Sequence, residues 1–111
     1  MKDARTGWQI GLKWSNKRPL AKWQGAFDHC NALNYGGVTG WRVPTKDELV
    51  AAYNNGIYGA AKVGWMTASE MDAIFWSSSS ITSSNAWGVY LPTGGSLNSS
   101  KNYYYAVVCV Q

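Results

Sequence analysis

The chain has 111 residues, of which 14% are charged and 14% aromatic, with seven Trp, seven Tyr and a formal net charge of +4. That length fits one domain with a real core and no second domain, and the aromatic content excludes a disordered chain. No run approaches the roughly 20 apolar residues of a membrane span, and the small positive excess biases partners towards anions (acidic glycans, lipid head groups or nucleic acid) without selecting one.

Twelve Gly, with many Ser and Asn, point to a loop-rich β or α+β domain instead of a helical bundle. Residues 8–14 alternate with period two, placing Trp8, Ile10, Leu12 and Trp14 on one side, which predicts a half-buried strand. After a basic turn at 16–19, Trp23, Ala26, Phe27, Cys30 and Leu33 recur at helical spacing and turn Cys30 inward. A glycine-rich corner at 35–40 leads into Trp41-Arg42-Val43-Pro44. Thr45-Lys46-Asp47-Glu48 then has the form of a capping box, and Leu49, Ala52 and Tyr53 continue a second helix that stops at Asn54-Asn55-Gly56. A second match, Thr67-Ala68-Ser69-Glu70, precedes a run too short for more than a turn or two of helix.

From Ile74 the character changes to strands at 75–80, 86–91 and 103–110, with Leu91-Pro92-Thr93-Gly94 as a hairpin turn. No charged residue lies between Asp72 and Lys101, so the connecting loops take their polarity from hydroxyls and amides. In the last strand Tyr103, Tyr105, Val107 and Cys109 share one face, and Tyr104, Ala106, Val108 and Val110 the other. Both are apolar, which predicts a strand covered on both sides.

Cys30 and Cys109 are the only cysteines. If helix and terminal strand pack into one core, the thiols can meet and bridge the start of the domain to its end, as in proteins of oxidising compartments. The alternative is two buried free thiols in a cytosolic protein. No signal-peptide pattern opens the chain, so a bridged domain is expected to belong to a longer exported protein. Residues 1–6 read as linker or an added boundary, and residues 7–111 as the domain.

Catalytic chemistry finds little support. His29 stands alone, and Asp47 and Glu48 sit in a first helical turn, where negative charge complements the helix dipole. No HExxH, GxSxG, phosphate-binding loop or zinc spacing occurs, so neither an enzyme nor a cofactor or metal is expected. Trp8, Trp14, Trp23, Trp41 and Trp76 fall on faces predicted to be buried. Trp65, Trp87, Tyr90 and Tyr104 remain available for stacking on a sugar or anchoring a protein. Lys13, Lys17, Arg18 and Lys22 crowd together as either a site for acidic glycans or ordinary solvated charge.

The order of motifs resembles one bacterial family. A leading segment ending Gly11-Leu12-Lys13-Trp14 is followed by a helix with Trp23, Ala26 and Cys30. Then come Gly40-Trp41-Arg42-Val43-Pro44-Thr45-Lys46-Asp47-Glu48-Leu49, Phe75-Trp76-Ser77-Ser78 and the closing Tyr104-Tyr105-Ala106-Val107-Val108-Cys109-Val110. The family is typified by the C-terminal domain of the Legionella collagen-like adhesin, a branch of the C-type lectin-like fold. The resemblance covers residues 7–111. It implies an α+β domain with two helices flanking a twisted antiparallel sheet, paired N- and C-terminal strands, and a Cys30–Cys109 staple. Two departures stand out. Val108 occupies a position where relatives often carry Arg, and the Glu-Pro-Asn, Gln-Pro-Asp and Trp-Asn-Asp motifs of calcium-dependent sugar binders are absent. Residues 77–101 supply no carboxylate for calcium.

The expected function is therefore adhesion or recognition at a bacterial surface or outside the cell, without calcium. Expected partners are a host-surface protein or a glycan, not nucleic acid, with no membrane insertion by this domain. Trp65, Asn85, Trp87, Asn98, Lys101 and Asn102 are the expected contacts, on a Ser/Asn/Tyr-rich surface at 83–104. The alternatives are a glycan module using the basic cluster and a structural or assembly cap with no ligand.

Overall fold

The computed structural model describes residues 10–15, 18–34, 37–60, 70 and 72–111. In chain order these form β1 (Leu20–Ala21), α1 (Trp23–Ala32), α2 (Lys46–Asn54), the single turn α3 (Ile57–Ala60), β2 (Ile74–Ser80), β3 (Asn85–Tyr90), β4 (Gly95–Ser100) and β5 (Tyr105–Ala106). The sheet order is β1-β5-β2-β3-β4. Helices and sheet together make an α+β fold, as expected.

Both long helices form where apolar spacing predicts. Ala26 and Cys30 are the buried positions of α1, and the Trp23 and Phe27 rings meet edge-on at 4.6 Å. In α2 the capping box is complete: Thr45 Oγ1 accepts from the Glu48 N–H at 3.1 Å, and the Thr45 N–H donates to Glu48 Oε1 at 2.8 Å. The helix ends at Asn54, with Asn55 as C-cap and Gly56 at φ 104°. The second capping-box match lies outside the described residues except for Glu70.

The sheet departs from expectation in three ways. Gly95–Ser100, read as loop, forms β4 in unbroken register with β3, from Asn85↔Ser100 to Tyr90↔Gly95. The pairing of β2 with β5 is parallel, through Phe75↔Ala106, so the sheet is mixed. The strand expected at 103–110 keeps only residues 105–106 in the ladder; Tyr103 and Tyr104 lie before it, 54% and 65% exposed. At the other end, Trp8 lies outside the described residues. The strand expected at 8–14 is interrupted by a turn in which Ile10 and Gly11 have φ of 50° and 77°. Such angles take the chain out of extended backbone.

The termini nevertheless pair. Lys13 and Gln111 exchange backbone hydrogen bonds of 3.1 Å, and the Ser15 N–H donates to Cys109 O at 2.9 Å. On its other side Val110 exchanges bonds of 2.9 and 2.8 Å with Arg42. The two-faced reading of the last segment holds: Ala106, Val108 and Val110 join Phe75, Leu49 and Trp14 in one core, while Val107 and Cys109 join Trp76, Cys30 and Ala26 in the other. Trp14, Trp41 and Trp76 are buried as expected, and Trp23 is half-buried. Cys30 and Cys109 form the disulfide, with Cα atoms 5.6 Å apart and both side chains fully buried.

Candidate functional site

Period-two alternation along β3 puts Asn85 and Trp87 on the sheet face that carries Val89. Residue Asn98 of β4 is the register partner of Trp87. Diagonally across the pair, the Asn85 amide donates to Asn98 Oδ1 at 2.7 Å. The first residue of α2 comes to the same place: Lys46 Nζ stands 4.7 Å from the centroid of the Trp87 ring. Its backbone N–H donates to Ser79 Oγ at 3.0 Å, which fixes the helix start against β2. From the neighbouring strand, Ser77 Oγ donates to the backbone carbonyl of Trp87 at 2.6 Å.

Three of the six expected contact residues, Asn85, Trp87 and Asn98, therefore converge. Asn98 is exposed, while Asn85, Trp87 and Lys46 are half-buried. An indole with an ammonium over its face and two linked amides beside it can stack on an apolar or ring surface and direct hydrogen bonds around it. Lys46 was not among the expected contacts. Its position inside a capping box marks it only as helical, and its approach to Trp87 depends on how α2 docks.

Of the remaining three, the two described ones, Lys101 and Asn102, have other partners. Lys101 Nζ donates to Ser80 Oγ at 2.9 Å, Thr82 O at 2.8 Å and Ser83 O at 3.4 Å, and lies 4.0 Å from the Trp23 ring centroid. Its charge holds the loop at 81–84 to α1. Asn102 is exposed in the turn after β4, its N–H donating to Ser100 Oγ at 3.3 Å. Trp65 lies outside the described residues. The loop is further ordered by Thr82, whose Oγ1 accepts from the N–H groups of Ser84 and Asn85.

Of the described members of the basic cluster, Arg18 is paired with an acid. Arg18 makes two bonds to the Glu70 carboxylate, at 2.8 and 3.2 Å, and a third to Ser15 O. Lys13 and Lys22 are exposed, with Lys22 Nζ 5.7 Å from the Tyr104 ring centroid, and Lys17 lies outside the described residues. With Arg18 compensated by Glu70, the density of positive charge read from the sequence is reduced.

The Trp-Arg-x-Pro-Thr segment is a structural unit. Arg42 grips the Glu48 carboxylate through both Nη atoms at 2.7 Å, while Glu48 also caps α2. The Arg42 bond is the largest cause that holds the Glu48 carboxyl below its ordinary range; the Thr45 bonds add to it and desolvation opposes it. Elsewhere Tyr90 donates its hydroxyl to Asp72 Oδ1 at 2.8 Å, a bond that raises the phenol pKa. Asp47 is exposed and His29 half-buried near the end of α1. Among the described residues no three of His, Cys, Asp and Glu gather in a metal-binding group. No helix among them is long and apolar enough to cross a membrane.

The family model described as the Lcl C-terminal domain matches residues 2–111, while no curated protein matches the chain. The residues that carry the resemblance have distinct places in the fold: Trp41 in the core, Arg42 with Glu48, Thr45 at the cap and Cys109 in the staple. The chain belongs to the Lcl C-terminal domain family, an adhesin-associated and non-enzymatic one.

Proposed function

We propose that this domain is a calcium-independent recognition module of a surface-exposed or secreted bacterial adhesin, binding a host-surface protein or glycan. The observation that carries this reading is the convergence of Trp87, Asn85, Asn98 and Lys46 on one face of the β3–β4 hairpin. An aromatic ring framed by amides is suited to both a sugar ring and a protein hot spot. The disulfide supports an oxidising location and, with the paired termini, a C-type lectin-like arrangement. Lys101 contributes by holding the adjoining loop, and Asn102 marks the rim. On this reading the domain works as part of a longer exported chain.

The test is a glycan array and host-cell binding assay of the oxidised domain, each read at low and physiological salt. Trp87→Ala, and separately Asn85→Ala with Asn98→Ala, should weaken binding about tenfold or more, the usual scale for a central aromatic contact. Binding carried by Trp87 and the amides survives physiological salt; binding that disappears with salt assigns recognition to the basic cluster. Undiminished affinity in both variants overturns the site.

A further inference from the structure

The two edges of the sheet are treated differently by the sequence. The β1 edge is two residues long, preceded by Pro19 and followed by the exposed Lys22, which are the usual guards against strand addition. The β4 edge is longer, and the Lys101 that follows it is turned back onto the Trp23 ring and the loop at 81–84. Gly95-Ser96-Leu97-Asn98-Ser99-Ser100 contains no charge and no Pro, pairs with β3 without a bulge, and ends the strand order among the described residues.

The backbone of this edge can be assigned bond by bond. One step beyond the Asn85↔Ser100 pair, the Lys101 N–H donates to Ser84 O at 2.8 Å, so 84 and 101 form a hydrogen-bonded pair. Antiparallel alternation then turns the backbone groups of Ser99, Leu97 and Gly95 towards β3. Those of Ser100, Asn98 and Ser96 point outward, and the Ser100 carbonyl already accepts the Tyr103 N–H at 3.1 Å. The side chain of Leu97, 39% exposed, stands beside this row as an uncovered apolar group.

We propose that β4 pairs with β4 of a second copy of the chain, antiparallel and centred on Asn98, to make one continuous sheet across a two-fold axis. This register places Ser96 opposite the partner's Ser100 and Asn98 opposite the partner's Asn98, joining all three outward-facing residues in about six hydrogen bonds, two of them to Ser100 carbonyls that also accept their own Tyr103 N–H. Lys101 falls opposite the partner's Gly95, so no charge meets a like charge although the chain as a whole carries +4. Leu97 comes to lie beside the partner's Ser99 and loses part of its exposure. The neutrality of the edge favours a second copy because a basic molecule approaches its own kind most easily where it carries no charge. A contact of one strand is small, so the pairing is weak in solution.

Sedimentation of the intact chain from about 1 μM to about 1 mM should show the average mass rising from one chain towards two, with a midpoint on the order of 100 μM. Ser96→Pro removes only an outward N–H and spares the β3 ladder, so the folded variant should associate about tenfold more weakly. Cysteine scanning reads the register. Paired Asn98 Cα atoms would stand about 5.5 Å apart, within disulfide reach, whereas the two Ser96 positions would stand roughly 13 Å apart. Mild oxidation should therefore cross-link Asn98→Cys and leave Ser96→Cys monomeric. A chain that stays monomeric throughout, equal cross-linking of the two cysteine variants, or an edge that accepts an added uncharged peptide strand and not itself overturns the proposal.

Discussion

Reducing the Cys30–Cys109 bridge should remove a large share of the stability of this domain. The two cysteines are 79 residues apart in a chain of 111, so the bridge ties the unfolded chain into a loop spanning most of its length. The chain-entropy model gives about 4.5 kcal/mol at 25 °C for a loop of that size. Small domains have about 5–15 kcal/mol in total, so the reduced form should sit near the threshold of folding. With roughly 2.1 cal/mol/K of unfolding entropy per residue, the same change corresponds to a fall in melting temperature of about 19 °C. The assay is equilibrium unfolding in urea and by calorimetry, oxidised against fully reduced, with free thiols counted at each point. Because both sulfurs are fully buried, reductant added to the folded protein should act only as fast as the domain opens. A stability difference below about 1 kcal/mol would refute the reasoning, because loop closure could not then be the main role of the bridge.

Other perturbations test the local accounts. Gly94 has φ 70° and a Cβ there would overlap the Tyr53 ring, so Gly94→Ala should cost at least about 2 kcal/mol in urea unfolding. Thr45→Ala removes the acceptor for the Glu48 N–H and should cost about 1 kcal/mol, with α2 amides losing exchange protection first. Because Arg42 depresses the Glu48 carboxyl, the associated stability is present above the unfolded pKa of about 4.3 and is lost as pH falls through the folded value. Glu48→Gln should flatten that acid slope in unfolding curves taken between about pH 7 and pH 2.5. Lys101→Met frees the loop it anchors, and should speed hydrogen exchange at Ile81 and Thr82, whose N–H groups donate to Asn85 O. Unchanged exchange there would remove Lys101 from its anchoring role.

The helices were legible because their signals are local. Apolar spacing around Ala26 and Cys30 and the Thr45 to Glu48 box need no distant partner to be read, and both were found in place. Val107 and Cys109 against Val108 and Val110 likewise announced two buried faces by alternation alone. What failed depended on partners. Gly95–Ser100 carries one apolar residue, Leu97, and becomes a strand because β3 supplies a complete ladder for it. The break at Ile10 and Gly11 resides in backbone angles that the apolar alternation conceals. In the candidate site, Asn85 and Trp87 were readable as neighbours two apart on a strand, whereas Lys46 and the diversion of Lys101 to Trp23 follow from tertiary docking.

Residues 105–110 lie at the centre of the fold. Residues 105–106 fill the place between β1 and β2, Val107 donates to Pro19 O, and Val110 is held between Trp14 and Arg42. Without them β1 has no strand neighbour, both cores lose a wall and Cys30 has no partner. A chain delivered N-terminus first, from a ribosome or through a membrane pore, therefore has no finished fold to adopt on the way. It remains threadable until residues 105–110 arrive, and then the domain can close at once around them.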